Sequence, residues 1–148
     1  WANTGARPAN GPERSIAVAV PSLLTPESKE VLIPVSVEGA AHKGIISYEF
    51  DLRYDPSAIL PMENPVDVAG TASRGLSVVT NATEPGLLRV VVYGAIPLDE
   101  NDLLLNLRFI AVGAAGSVSP LMFDRIMFNE GDPGTMVTNG QVEISGRR

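Results

Sequence analysis

Two carboxylates separated by one residue, Glu49 and Asp51, are the side chains best suited to chemistry. Side chains two apart on one strand face lie about 7 Å from each other, near the spacing of glycosidase acid pairs. Those pairs flank a cleft and usually come from different strands, beside aromatic platforms for the sugar. Aromatic residues make up only 5% of this chain, so the pair does not favour catalysis.

The chain has a single histidine, His42, and no cysteine. Disulfides, thiolate metal sites and a cysteine nucleophile are therefore excluded. A zinc site would need carboxylates for its other ligands, which is uncommon. No nucleophile-elbow pattern accompanies any serine. We expect His42 to lie exposed in a turn without a role, and we predict no catalytic residue and no metal ligand.

Two acidic segments, Asp99–Asp102 and Asn129–Asp132, offer the oxygen ligands that calcium prefers. Neither has the twelve-residue spacing of an EF-hand, so solvated turns are the favoured interpretation. Asn81-Ala82-Thr83 matches the N-glycosylation sequon, as do many unmodified stretches. We expect no cofactor on this chain.

The two carboxylates belong to an alternating stretch, Gly44–Pro56, which reads GIISYEFDLRYDP. Successive side chains of a strand point to opposite faces, so this stretch predicts a strand with a buried side and a solvated side. The buried side would carry Ile46, Tyr48, Phe50, Leu52 and Tyr54, and the solvated side Ser47, Glu49, Asp51 and Arg53. Asp55-Pro56 ends the strand, because proline cannot donate to a ladder.

Other segments also indicate strands. They are Ser15–Pro21, Glu30–Glu38, Leu60–Val68, Leu76–Ala82, Leu87–Ala95, Asp102–Val112, Ser119–Asn129 and Gln141–Ser145. Asp102–Val112 also fits a helical stripe, but its neighbours favour a strand. We expect a polar turn at Ser22–Lys29, and an edge position or bulge at Pro34. Glu84-Pro85-Gly86 predicts a tight turn. Together these segments predict an all-β, antiparallel β-sandwich of eight or nine strands.

Within the predicted strand Leu87–Ala95, the alternation allows two phases. We place Leu88, Val90 and Val92 inward, so that Arg89, Val91 and Tyr93 face outward. The opposite phase would leave Arg89 at a sheet end. A valine and a tyrosine exposed together on a flat sheet face are mildly unusual.

Composition limits the class of protein. The chain has 148 residues, a formal net charge of −6 and a pI near 4.7, which argues against binding nucleic acid or an anionic membrane surface. No apolar run approaches the roughly 20 residues of a membrane-spanning helix. We predict a linker or flexible arm over residues 1–14, one domain over residues 15–145 and a short tail over residues 146–148.

The order of these segments resembles the cohesin module family over about Ser15–Ser145. Cohesins commonly have an "IPV.V.G" strand followed by a "G(I/V)..(F/Y).F.L.YDP..L" strand. The matching residues are Ile33-Pro34-Val35, Val37, Gly39, Gly44-Ile45, Phe50, Leu52, Tyr54-Asp55-Pro56 and Ile59. The resemblance implies a nine-stranded jelly-roll sandwich without catalytic activity.

The resemblance also implies a partner and a binding face. The partner would be a dockerin, a small helical domain on another protein that carries the calcium, and the setting would be extracellular or on the cell surface. Carried over by position, the partner-binding residues are Ser47, Glu49, Asp51, Asn81, Thr83, Arg89, Val91, Tyr93, Ala95, Arg125 and Met127. A carbohydrate-binding module and a structural spacer of a surface protein remain the alternatives.

Overall fold

The computed structural model describes residues 15–94, 98, 102–129 and 134–146. These residues form eleven strands and no helix. The strands are β1 (Ile16–Ala19), β2 (Ser22–Pro26), β3 (Glu30–Glu38), β4 (Ser47–Arg53), β5 (Ile59–Asp67), β6 (Ser77–Asn81), β7 (Leu87–Tyr93), β8 (Asp102–Ala111), β9 (Val118–Phe128), β10 (Thr135–Thr138) and β11 (Gly140–Ser145). The arm over residues 1–14 and most of the tail, predicted from the sequence, lie outside the described residues. Within the described part, no helix could cross a membrane.

The strands form two sheets packed face to face. The first sheet has six strands in the order β2-β11-β9-β4-β7-β6, and the second has five in the order β10-β1-β3-β8-β5. This arrangement confirms the predicted all-β sandwich. The ambiguous segment at Asp102 is strand β8, which pairs with β3 on one side and β5 on the other.

The core lies between the sheets and is built by the alternating strands. In β4 the side chains of Tyr48, Phe50 and Leu52 are almost fully buried, and in β7 those of Leu88, Val90 and Val92 are too. Both sets match the predicted inward phase. The largest side chains pack as aromatic pairs at centroid distances of 5.2–5.4 Å, namely Tyr48–Phe128, Phe50–Phe123 and Tyr54–Phe109. The favourable edge and tilted geometries of these pairs help to fix the position of β4 against β9, and of the residue that follows β4 against β8 in the facing sheet.

The predicted inward position of Ile46 is wrong, because its side chain is 45% exposed while Ile45 is fully buried. Regular pairing of β4 begins only at Ser47. Before it, Gly44 has a positive φ of 71°, and the Asn129 side chain accepts a hydrogen bond from the Ile46 amide at 3.0 Å. This irregular entry shifts the phase by one residue, so that Ile45 takes the core position.

The predicted turn at Ser22–Lys29 is also wrong in its first half, because Ser22–Pro26 is strand β2. A further short strand, β10, occupies Thr135–Thr138, where no strand was predicted. Both strands pair in parallel, β2 with β11 and β10 with β1. The sandwich is therefore antiparallel except at two edges, where partners more than a hundred residues apart in sequence meet.

Pro34 lies in β3, the strand that runs between β1 and β8. A register shift against β8 follows directly between Val35 and Ser36. On its other side β1 pairs only with Ser36–Glu38. The proline therefore lies beyond the end of β1, where a missing N–H disrupts no ladder. The strand predicted at Leu60–Val68 is β5, whose register also shifts between Pro61 and Val66.

Candidate functional site

The outer sides of β9, β4, β7 and β6 form a continuous surface, called here the front face. The outer side of the five-stranded sheet is the back face. Cross-strand register arranges the front face in rows. The rows are Ser47–Tyr93–Ser77, then Met127–Glu49–Val91–Val79, then Arg125–Asp51–Arg89–Asn81. Directly opposed side chains in such rows interact, so the front face acts as one surface.

Two ion pairs join strands β9, β4 and β7 across the front face. Arg125 pairs with Glu49 one row away, and Arg89 Nε lies 3.3 Å from Asp51 Oδ1 in its own row. Glu49 and Asp51, the two carboxylates considered for catalysis from the sequence, are thus each paired with an arginine from a neighbouring strand. The arrangement fixes side-chain positions and supplies no free acid–base pair.

A second charged group lies at the lower end of the front face, around Arg53. Its guanidinium reaches Glu84 at 3.4 Å and Asp124 at 3.3 Å. Asp124 occupies the β9 bulge, where the register against β4 shifts between Phe123 and Arg125. The bulge therefore adds an acidic side chain at this rim.

Apolar side chains cover the β7 and β6 side of the front face. Val91 lies directly opposite Val79, and Tyr93 follows two residues later on β7. All three are exposed large hydrophobic residues. We call Val79, Val91 and Tyr93 the apolar patch. Such a cluster on a sheet face, rimmed by charges, is typical of a protein contact surface.

The structure brings most of the predicted partner-binding residues together on the front face. Arg89, Val91, Tyr93, Asn81 and Arg125 are exposed there. Ser47, Glu49, Asp51 and Met127 are half-buried on the same face. Thr83 lies beyond the end of β6, in the turn to β7, and Ala95 lies outside the described residues. Placement on this surface does not test a binding role, which remains a prediction.

The turn after β6 uses the side chain of Asn81 locally. Asn81 Oδ1 accepts hydrogen bonds from the amide and the hydroxyl of Thr83 at 3.0 and 2.9 Å. A shallow depression of about 90 Å³ lies beside this turn and is bordered by Glu84, Leu87 and Arg89. Asn81 and Thr83 therefore shape the lower rim of the front face.

Sequence reasoning missed Val79, a central member of the apolar patch. The signal was present, because an outward Asn81 in a strand requires Val79 and Ser77 to face outward as well. The burial of β6 alternates in this way, with residues 77, 79 and 81 exposed and residues 78 and 80 less so. Only the pairing with β7 shows that Val79 lies beside Val91.

Behind the front face, a buried hydrogen bond ties β4 to the loop before β6. The hydroxyls of Tyr48 and Ser73 lie 2.6 Å apart, and both residues are buried. Burial raises the pKa of the Tyr48 phenol far above its usual range, so the group remains neutral. This contact is structural, since it does not open onto the surface.

The described residues contain no group of three or more histidines and acids close enough to hold a metal ion. His42 is exposed, with a positive φ of 61°. Most of the two acidic segments that could bind calcium lies outside the described residues. Tyr93 is the one exposed aromatic side chain among those described, so this part of the chain has no row of aromatic platforms for a sugar.

A flat β-sandwich with an ordered, partly apolar sheet face defines a class of binding modules. The cohesin domain family matches residues 16–144, and the chain belongs to this family. A comparison with curated proteins found no significant match.

Solved structures with the same fold include several cohesins. The sixth cohesin of scaffoldin B from Acetivibrio cellulolyticus, solved in complex with a Cel5 dockerin, is 19% identical with a TM-score of 0.74, over 88% of this chain and 99% of that one. The seventh ScaB type I cohesin from Pseudobacteroides cellulosolvens is 20% identical with a TM-score of 0.74, over 90% and 94%. A non-cellulosomal cohesin from the archaeon Archaeoglobus fulgidus is 17% identical with a TM-score of 0.70, over 88% and 91%.

Proposed function

We propose that this chain is a non-catalytic module that binds a dockerin-type partner through the front face. The observation that carries the proposal is the apolar patch, exposed beside an ordered set of ion pairs on the face of a cohesin sandwich. The Acetivibrio cellulolyticus cohesin with this fold was solved with a dockerin bound. Within the described residues, the acidic side chains on the front face are held in ion pairs, which suits recognition better than catalysis.

The front face can form the central part of a specific interface. Four strands about 4.8 Å apart and seven residues rising about 3.3 Å each give a face of roughly 19 by 23 Å, or about 440 Å². This is about half of the ~800 Å² that each partner contributes to an ordinary specific complex, and the flanking turns add to it. A small helical domain can cover it without rearranging the sandwich.

The two sides of the front face have different roles in this proposal. The apolar patch supplies the desolvated anchors. Among them Tyr93 contributes most to the binding free energy, because tyrosine is enriched among residues that dominate binding. The paired charges beside it fix the orientation of the partner and discriminate against wrong partners. Any calcium in the complex would belong to the dockerin.

The proposed setting is extracellular or on the cell surface, as one module of a larger secreted protein that assembles with dockerin-bearing proteins. Family membership supports this setting, and the archaeal relative extends the fold to a non-cellulosomal protein. Whether the assembly is cellulosomal depends on the partner.

Isothermal titration calorimetry against the dockerin modules encoded in the same genome tests the proposal. We expect at least one to bind. We further expect Glu49→Arg combined with Tyr93→Ala to weaken that binding at least about 100-fold, since one apolar anchor is removed and one orienting charge is reversed. Thermal unfolding of the double variant should stay close to that of the wild type.

A matched control lies on the back face. Glu30 pairs with Arg108 at 3.1 Å as Glu49 pairs with Arg125, and Leu32 is 49% exposed where Tyr93 is 47% exposed. Glu30→Arg with Leu32→Ala should therefore leave the dockerin affinity unchanged. Folded wild-type protein that binds none of the dockerins would overturn the proposed function. Equal binding by both double variants would overturn the assignment to the front face.

A further inference from the structure

The charges of the front face are layered, with the arginines outermost. The Arg89 side chain is 61% exposed, whereas its partner Asp51 is only 17% exposed. The Arg125 side chain is 48% exposed and its partner Glu49 34%. Although the chain as a whole carries a net charge of −6, an approaching molecule meets guanidinium groups first at the centre of this face.

Arg89 keeps most of its hydrogen-bonding capacity for a partner. A guanidinium has five N–H donors in a rigid fork. The Arg89 side chain meets Asp51 through Nε as an ion pair, and it has no other ion pair and no side-chain hydrogen bond among the described residues. Within that part of the chain its two terminal nitrogens therefore remain available, while the ion pair with Asp51 keeps the guanidinium on the front face.

The position of Arg89 places these donors at the edge of the apolar patch. Arg89 lies two residues before Val91 on β7. Its neighbour on β6 is Asn81, the last residue of that strand, so β6 adds no apolar side chain beyond this row. Side chains two apart on one strand face are about 7 Å from each other. A partner surface that covers Val79, Val91 and Tyr93 therefore also lies over Arg89.

We propose that the partner's contact surface is an aliphatic ridge bordered by a carboxylate that pairs with the terminal nitrogens of Arg89. This inference rests on the proposed function and names the chemistry that selects among dockerins. Covering Arg89 with an apolar surface would desolvate unpaired donors, and a basic side chain would be repelled. A carboxylate can accept two parallel hydrogen bonds from the fork. The front face therefore selects an acidic residue at this position, despite the acidic character of the module.

The test uses the dockerin of the same genome that binds the wild type most tightly. We expect Arg89→Glu to weaken its binding at least about 30-fold and Arg89→Gln to weaken it less. In the dockerin, one Asp→Arg or Glu→Arg substitution among its surface acids should restore binding to the Arg89→Glu module. Arg108→Glu on the back face is the matched control and should leave the affinity unchanged.

A swapped pair separates partner recognition from a purely structural role. Asp51→Arg with Arg89→Asp keeps an ion pair between β4 and β7 but removes the outward guanidinium of residue 89. We expect the swap to remain weak toward the wild-type dockerin. Recovery of full affinity by the swap, or an Arg89→Glu affinity within threefold of wild type, would overturn the inference while leaving the proposed function intact. Absence of binding by the wild type to every dockerin would overturn both.

Discussion

The buried hydrogen bond between Tyr48 and Ser73 gives a prediction about stability at single residues. Tyr48→Phe removes one hydroxyl and leaves that of Ser73 buried without this partner. We expect a loss of about 1–2 kcal/mol in the free energy of unfolding, because an unsatisfied buried polar group retains its desolvation cost. Urea denaturation measures this loss. Tyr93→Phe, the same change at an exposed position, is the control and should cost almost nothing.

A double variant checks that the loss comes from this contact. Ser73→Ala added to Tyr48→Phe removes the second hydroxyl and with it the unsatisfied group. We expect the loss of unfolding free energy in the double variant to be clearly smaller than the sum of the losses in the two single variants. Strict additivity would show that the two hydroxyls contribute independently.

Asp55 gives a prediction about pH. Its Oδ1 accepts hydrogen bonds from the Ser57 hydroxyl at 2.7 Å and the Ser57 amide at 2.9 Å, and these lower the pKa of the carboxyl group. Because the pKa in the folded state lies below the unfolded value, the stabilisation is present above the unfolded pKa of about 3.9. It is lost as the pH falls through the folded pKa.

Asp55→Asn tests this dependence, since the amide oxygen can accept the same hydrogen bonds but does not titrate. We expect the difference in unfolding free energy between wild type and variant to shrink as the pH falls from 6 toward ~2. Ser57→Ala, which removes the strongest cause of the lowered pKa, should reduce the pH dependence in part. Parallel curves for all three proteins over this range would contradict the assignment.

At the scale of strands, the alternating segments were predictable because the local alternation of apolar and polar residues indicates which side chains are buried. Strand β4 alternates throughout and β7 alternates from Leu88 onward, so the local pattern favours their inward residues and the outward Arg89, Val91 and Tyr93. Ile46 was assigned wrongly because a glycine with positive φ breaks the strand geometry before Ser47. The pattern alone could not locate that break.

The strands β2 and β10 could not be predicted, since they depend on pairing between distant segments. β1 and β2 run parallel to β10 and β11, and both pairs pass from one sheet to the other around Pro21 and Asn139. Short segments such as Ser22–Pro26 have little period of their own. For the same reason the apolar patch was incomplete in the sequence, because the contact between Val79 and Val91 exists only through strand pairing.

The crossing of these two strand pairs depends on Gly140. Gly140 is the first residue of β11, and a Cβ at this position would overlap the backbone of Pro21. The Gln141 amide donates to the Pro21 carbonyl at 3.3 Å, and the Val20 amide to that of Thr138 at 3.1 Å. We expect Gly140→Ala to cost about 2–3 kcal/mol, because the backbones must separate to admit a methyl group.

Chemical denaturation of Gly140→Ala measures this cost, with Gly134→Ala as its control. A Cβ at Gly134, which precedes β10, would have no atom within 4 Å. The control should therefore be close to wild type. A Gly140→Ala protein as stable as the control would show that the two strand pairs can move apart without loss.

At the scale of the whole molecule, the proposed binding face is separate from the core that stabilises the sandwich. The two sheets bury one side of each central strand in a common core, while the outer sides meet solvent. The apolar patch of the front face lies on β6 and β7, next to ion pairs that join three strands. A change outside the core can therefore alter the partner without altering the fold, which suits a module that exists in many versions.

Two neighbouring valines on β7 test this separation with the same substitution. Val90 is fully buried between the sheets, and Val91 belongs to the apolar patch. We expect Val90→Ala to lower the free energy of unfolding by about 2–3 kcal/mol, because two methyl groups leave a cavity in the core. We expect Val91→Ala to change it by less than about 0.5 kcal/mol.

The affinities should show the opposite order. Val91→Ala should weaken dockerin binding by at least about fivefold, since it removes part of a desolvated anchor. Val90→Ala, measured at a temperature where it is fully folded, should bind almost as the wild type does. Calorimetric titration and urea denaturation of both variants give the four values needed. If Val91→Ala affects stability more than binding, the front face belongs to the structural framework, and the partner contacts another surface.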